Sequence, residues 1–132
     1  MKKPIFVNEY MSESPVTIRG DADYKTAFEI MESRDLHHIP VVNDDDDVIG
    51  ILARRDLQLA ASYFHEAPVE VSDVMHKQVL MIEPGAGIET AAERMMEHRI
   101  GCLPVSEDGH HAVGMITETD LLRALRDILS SN

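Results

Sequence analysis

The sequence predicts an α+β protein made of two copies of one β-α-β-β-α unit, packed sheet to sheet about a pseudo-two-fold axis. Three observations predict it. One stretch of sequence recurs without a gap at an offset of 64 residues, the spacing of Met11 and Met75. Within each copy, short apolar runs alternate with segments of helical periodicity. The 132 residues, 44% hydrophobic and 27% charged, suit a folded chain with a core of its own.

The repeat shows in matched pairs: Met11/Met75, Ile18/Ile82, Ala22/Ala86, Thr26/Thr90, Ala27/Ala91, Met31/Met95, Pro40/Pro104, Val41/Val105, Gly50/Gly114, Asp56/Asp120, Leu57/Leu121 and Ala60/Ala124. The copies are placed at 1–66, which includes an N-terminal strand, and 67–132, with Ser62–Ser72 as the link. A unit of roughly sixty residues is marginal alone. Face-to-face packing of two gives each sheet a cover and leaves two equivalent clefts.

Each copy begins with an extended stretch, Pro15–Ile18 or Val79–Ile82, and a turn at Gly20 or Pro84-Gly85. The apolar stripes Tyr24, Ala27, Phe28, Met31 and Ile88, Ala91, Ala92, Met95 have the i, i+3, i+4, i+7 spacing of a helix with one buried face. Strands Ile39–Val42 and Leu103–Ser106 follow. Proline lacks the N–H that a ladder needs, so Pro40 and Pro104 are expected where these strands begin. Five-residue loops, Asn43–Asp47 and Glu107–His111, then lead into apolar strands Val48–Leu52 and Ala112–Ile116, completing a hairpin. A closing helix buries Leu57, Ala60, Ala61 and Phe64 in the first copy. In the second it buries Leu121, Leu122, Leu125, Ile128 and Leu129. Pro68 ends the first of these helices.

Twelve Lys and Arg against 24 Asp and Glu give a net charge of −12, which argues against sequence-independent nucleic-acid binding. One cysteine, Cys102, excludes an internal disulfide and reads as a small buried side chain. No apolar run approaches the ~20 residues of a membrane helix, and the N-terminus has no signal-peptide core. A cytoplasmic protein without membrane association is expected. Met31, Met95 and Met115 fall on core faces. The run Asn43-Asp44-Asp45-Asp46-Asp47 lacks the spacing and glycine of a calcium loop and reads as a solvated turn. His37-His38 and His110-His111 have no Cys/His constellation around them, so no metal site is expected.

The segments Tyr10-Met11…Pro15-Val16-Thr17-Ile18 and Val74-Met75…Met81-Ile82 belong to a recognisable set. So do the strands around Pro40 and Pro104 and the runs Val48–Leu57 and Val113–Leu121. Together they resemble the cystathionine-β-synthase (CBS) domain family, as a tandem pair called a Bateman module. The resemblance implies a sensor that is not an enzyme. It would bind AMP, ADP, ATP or S-adenosylmethionine in the clefts between repeats, need no cofactor, form a homodimer and control an effector protein. With no room for a fused effector, its output is expected to go to a separate partner.

The resemblance also implies site residues. In the motif Gly-h-h-Ser/Thr-x-x-Asp, where h is apolar, the carboxylate accepts hydrogen bonds from the two ribose hydroxyls. The upstream hydroxyl and the helix N-terminus face the phosphate. Gly114, Thr117 and Asp120 fulfil the pattern, with Thr119 adding a hydroxyl, so this cleft is expected to be the stronger. Its other wall would be Pro15, Val16, Thr17, His38, Ile39 and Pro40. The first copy keeps Gly50 and Asp56 but has Ala53 in place of the hydroxyl. There Arg54 or Arg55 could supply a charge-assisted bond instead, opposite Val79, Leu80, Met81, Cys102, Leu103 and Pro104; an empty or differently selective cleft is the equal alternative.

Two plainer readings stand beside these. Thr117-x-x-Asp120 at a helix start is also a capping box, and Gly50 and Gly114 also suit close strand packing. The alternative function is a ligandless module for dimerisation or protein interaction.

Overall fold

The computed structural model describes residues 3–64 and 68–131, apart from the side chain of Phe64. The expected boundary at 66/67 and the expected burial of Phe64 lie outside the described residues. In chain order the elements are β1 (Ser12–Glu13), β2 (Ile18–Arg19), α1 (Tyr24–Arg34), β3 (His38–Val42), β4 (Val48–Ala53), α2 (Arg54–Phe64), the one-turn α3 (Val71–Val74), α4 (Ile88–His98), β5 (Cys102–Val105), β6 (Gly114–Thr117) and α5 (Glu118–Ser130). A 3₁₀ turn, Val7–Glu9, precedes β1.

The chain packs as two units, one spanning Val16–Val79 and the other combining Met1–Pro15 with Leu80–Asn132. The units are thus offset from the sequence repeat, because the leading segment of each copy packs with the rest of the other copy. Val7 and Val71, 64 residues apart, are both fully buried, one in each core. The turns holding them are capped alike. The Phe6 N–H donates to Glu9 (2.7 Å) and the Glu70 N–H to Asp73 (3.1 Å). Bridges Phe6↔Gly87 and Asp23↔Glu70 continue the correspondence. The correspondence between the copies is thus recognisable from about residue 6.

In the first unit the sheet order is β2-β3-β4. β2 pairs with β3 in parallel and β3 with β4 antiparallel, and a bridge from Ile51 to His76 extends the far edge. In the second unit the order is β1-β6-β5, with Ile82 bridged to Val105. Helices cover these sheets. Tyr24, Ala27 and Met31 of α1 and Leu57 and Ala60 of α2 enclose Ile39, Val41 and Leu52. Ala91 and Met95 of α4 meet Leu103, Val105 and Ile116. Asp23 caps α1 by accepting the Lys25 N–H (2.8 Å). Both α1 and α4 end on a left-handed residue, Asp35 (φ 53°) and Arg99 (φ 54°).

Several expectations are corrected. Pro15–Ile18 contributes strand only at Ile18, and Val79–Ile82 contributes only the Ile82 bridge. Pro40 and Pro104 are the third residues of β3 and β5, not the first. Both corrections have one cause: a proline offers no N–H to the outer neighbour, so the parallel ladder starts only beyond it, at Ile18↔Val41.

The second hairpin loop spans eight residues, Ser106–Val113, so β6 begins at Gly114. Asp108 organises that loop. Its Oδ1 accepts the Ser106 hydroxyl and the His110 and His111 N–H groups, and its Oδ2 meets the His111 ring. These donors hold the Asp108 carboxyl well below the usual carboxylate range. The first loop has the expected length. Asn43 Oδ1 accepts the N–H groups of Asp45 and Asp47 there, and Arg19 pairs with Asp44.

The closing helices are less apolar inside than expected. Ala61 is exposed, as are Leu122 (65%), Leu125 (51%) and Leu129 (66%). The face of α5 turned inward carries Asp120 and Ala124 instead, with Leu121 half-buried. No helix among the described residues is long and apolar enough to cross a membrane.

Candidate functional site

In each copy the second hairpin strand runs directly into the closing helix, and the acid of the motif lies in that helix's first turn. Asp120 is 2% exposed. Its Oδ2 accepts the Thr117 N–H (2.8 Å) and the Thr117 hydroxyl (3.1 Å), while its Oδ1 faces Arg123 Nη1 at 3.2 Å. In the first copy Asp56 Oδ2 accepts the Ala53 N–H (3.0 Å) and Oδ1 faces His76 Nε2 at 3.3 Å.

Both carboxylates thus divide their labour: one oxygen caps the helix and the other faces a nitrogen of a side chain, Arg123 or His76. The acidic half of the capping-box reading of Thr117-x-x-Asp120 is realised, the Asp120 carboxylate accepting the Thr117 N–H. It also accounts for Asp56, because a main-chain N–H is capped whether residue 53 has a hydroxyl or not.

The motif glycines have a structural cause of their own. A Cβ on Gly114 would meet the Ser12 carbonyl oxygen and the Met11 sulfur, both at 2.7 Å. A Cβ on Gly50 would meet the Met75 sulfur and, at 2.9 Å, the His76 carbonyl oxygen. The same Met-plus-carbonyl pair presses on both glycines, which explains the Met11/Met75 match.

The other expected residues are distributed as follows. Within its own unit, His38 lies across the ladder from Ala53, and Cys102 across from Thr117. Ile39 and Leu103 are fully buried in the two cores, so only main-chain groups could meet a ligand there. Pro40 and Pro104 are also buried. Pro15, Val16, Val79 and Met81 are half-buried, and Thr17, Arg55 and Thr119 are exposed. Arg54 is engaged elsewhere. Its Nη2 donates to the Met31 carbonyl oxygen (2.9 Å) and lies 3.9 Å from Asp35, closing the C-terminus of α1.

Arg123 and His76 were missed by the sequence reading. His76 is remote in sequence, and its position corresponds to Ser12 in the other copy. Arg123 corresponds to Leu59. Pairing by the repeat therefore gave no signal for either residue.

Two surface depressions lie in the first unit. One of about 400 Å³, lined by Arg19, Gly20, Asn43, Asp44, Glu70 and Ser72, holds none of the expected site residues. The other, about 210 Å³, has Asp56 on its wall with Leu59, Ala60, Tyr63 and Val74.

Burial pushes the Cys102 thiol up to about 12, and the Glu118 carboxylate adds to the shift. Little of it is then thiolate at pH 8. Cys102 in the native chain should fail to react with Ellman's reagent over an hour at that pH, yet titrate fully in denaturant. Complete reaction of the native chain within minutes would contradict this placement.

These features define a tandem α+β module whose two copies carry the same capped acid at the same turn. The sequence profile of the CBS domain matches residues 7–63 and 71–127, two segments separated by the same offset as the repeat, and the chain belongs to the CBS domain family. A CBS domain-containing protein of Dictyostelium discoideum is 32% identical over 95% of this chain and 94% of its own length.

The chain spans about a quarter of the length of several other curated relatives. One is a homoserine O-acetyltransferase of Methanocorpusculum labreanum, 28% identical over 89% of this chain and 24% of that protein. Among solved structures, the CBS domain pair of protein MJ0100 in complex with 5′-methylthioadenosine and S-adenosylmethionine superposes with a TM-score of 0.87. It is 21% identical, covering 95% of this chain and 98% of that one. CBSX2 in complex with AMP gives a TM-score of 0.79 at 21% identity, covering 93% and 97%.

Proposed function

We propose that this chain is a regulatory module, without catalytic activity of its own, that binds an adenosine-containing ligand through the Asp56 and Asp120 carboxylates. The observation that carries the reading is the repeated geometry of the two acids. Each has its Oδ2 fixed by the helix cap and its Oδ1 held only by a side chain that can move. A ribose offers two adjacent hydroxyl donors, and a carboxylate with spare acceptor capacity suits them. That MJ0100 binds S-adenosylmethionine and methylthioadenosine, and CBSX2 binds AMP, supports an adenosine ligand here.

Because the chain carries a net charge of −12, an anionic ligand needs local compensation from the N-termini of α2 and α5 and from Arg55. A ligand at 100 times its Kd stabilises the folded state by about 2.7 kcal/mol. A thermal-shift panel of AMP, ADP, ATP and S-adenosylmethionine should therefore raise the Tm by several degrees with at least one compound. No shift with any of them would contradict the reading.

A specific observation favours a second reading, association through the closing helix. Leu122, Leu125 and Leu129 lie along one side of α5, each more than half exposed. If this stripe mediates homodimerisation, sedimentation should give a dimer mass that falls to monomer on Leu125→Asp, with the circular dichroism unchanged. A wild-type monomer at 100 μM would exclude it.

A further inference from the structure

We propose that His76 governs access to the Asp56 carboxylate, so that the first copy's ligand site weakens when this imidazole is protonated while the second copy's site does not. The proposal rests on the adenosine-ligand reading above and concerns how that same site is regulated.

A carboxylate has about four acceptor positions. At Asp120 two are taken by Thr117, and Arg123 forms an ion pair with Oδ1 at 3.2 Å. At Asp56 the absence of a hydroxyl on Ala53 leaves one N–H on Oδ2 and the His76 ring on Oδ1. The alanine that breaks the family pattern therefore leaves Asp56 the richer acceptor. Both its oxygens can take a hydroxyl once His76 stands aside. Asp56 is also the more accessible acid, its side chain 15% exposed against 3% for Asp120, and it opens on the 210 Å³ depression.

His76 is built to move at the side chain alone. Its main chain exchanges both hydrogen bonds with Ile51 (2.9 and 3.0 Å), while its side chain is 68% exposed. A protonated imidazole holds Oδ1 with a charge-assisted bond, and a neutral one releases it readily. Arg123, the counterpart at Asp120, keeps its charge at every pH of interest.

The other charged groups of the surrounding elements are placed as follows. β4 has none, and on β3 His38 lies across from Ala53. On α2, Arg54 is turned to Met31 and Asp35, and Arg55 is exposed. On α3, Asp73 accepts the Glu70 N–H. Lys77 follows His76 and is exposed.

The test is calorimetric titration of the full chain with adenosine, which has no group titrating between about pH 5.5 and 8. Binding abolished by Asp56→Ala should tighten about tenfold from the lower pH to the higher. His76→Gln should hold it at the tighter value at both. A pH dependence that survives His76→Gln would place it on His38 or elsewhere and overturn the proposal. So would Asp56-dependent binding that is equal at the two pH values, or adenosine binding that Asp56→Ala leaves intact. No adenosine binding at either pH, in the wild type or in His76→Gln, would instead defeat the ligand reading, and this proposal with it.

Discussion

Replacing Gly114 with alanine is expected to lower the Tm by about 10 °C, the consequence of roughly 2–3 kcal/mol of overpacking. The added methyl would lie 2.7 Å from the Ser12 carbonyl oxygen, a main-chain atom fixed by the β1–β6 ladder. It would lie equally close to the Met11 sulfur, which a rotamer change can move. Truncating Met11 should therefore not rescue the variant, because the carbonyl remains. Gly50→Ala should behave alike, since His76 occupies the position that Ser12 holds at Gly114. A Gly114→Ala protein melting within 2 °C of wild type would show that the segment before β2 does not pack on β6. Full recovery in the double variant with Met11→Ala would assign the strain to the side chain alone.

These contacts show where the sequence could be read and where it could not. The offset of 64 residues fixed the element order, because identical side chains at Pro40/Pro104, Gly50/Gly114 and Asp56/Asp120 repeat identical local demands. Periodicity placed α1 and α4 correctly, since a helix with one sheet beneath it needs one apolar face.

It misled at α5. Leu122, Leu125 and Leu129 are apolar but exposed, and the buried face carries a capped acid, Asp120. Hydropathy counts Asp120 as a surface residue because it cannot register that the Thr117 N–H and hydroxyl satisfy it. The pairing of each leading segment with the other copy's unit was also illegible. Nothing local distinguishes Val7 packing beside Ile82 from Val7 packing beside Ile18; only the long-range ladders do.

Asp120→Ala and Asp120→Asn are expected to separate the two duties of this acid. Alanine removes the cap and should cost about 1–2 kcal/mol of stability in the free protein. Asparagine keeps a carbonyl oxygen for the Thr117 N–H, so most of that stability should remain. Both remove the charged acceptor, and each lost hydrogen bond to it should cost about 1.5–3 kcal/mol of binding, roughly ten- to a hundredfold in Kd at that site. An Asn variant that melts like wild type yet binds adenosine weakly would place the carboxylate at the ligand. Unchanged affinity in both variants would leave Asp120 as a helix cap and nothing more.

The site itself was legible only as a pattern. Gly114, Thr117 and Asp120 marked the turn, and the sequence favoured that copy because its motif is complete. The geometry adds what the motif hides: the Thr117 hydroxyl occupies an acceptor on Asp120 that Ala53 leaves vacant on Asp56.

The most direct test asks whether either acid grips a sugar. Adenosine and 2′,3′-dideoxyadenosine should be titrated into the wild-type chain and into the Asp56→Ala/Asp120→Ala double variant. Loss of the two hydroxyls should weaken binding at least tenfold in the wild type and make no difference in the double variant. Equal affinity of the wild type for both nucleosides would contradict the account.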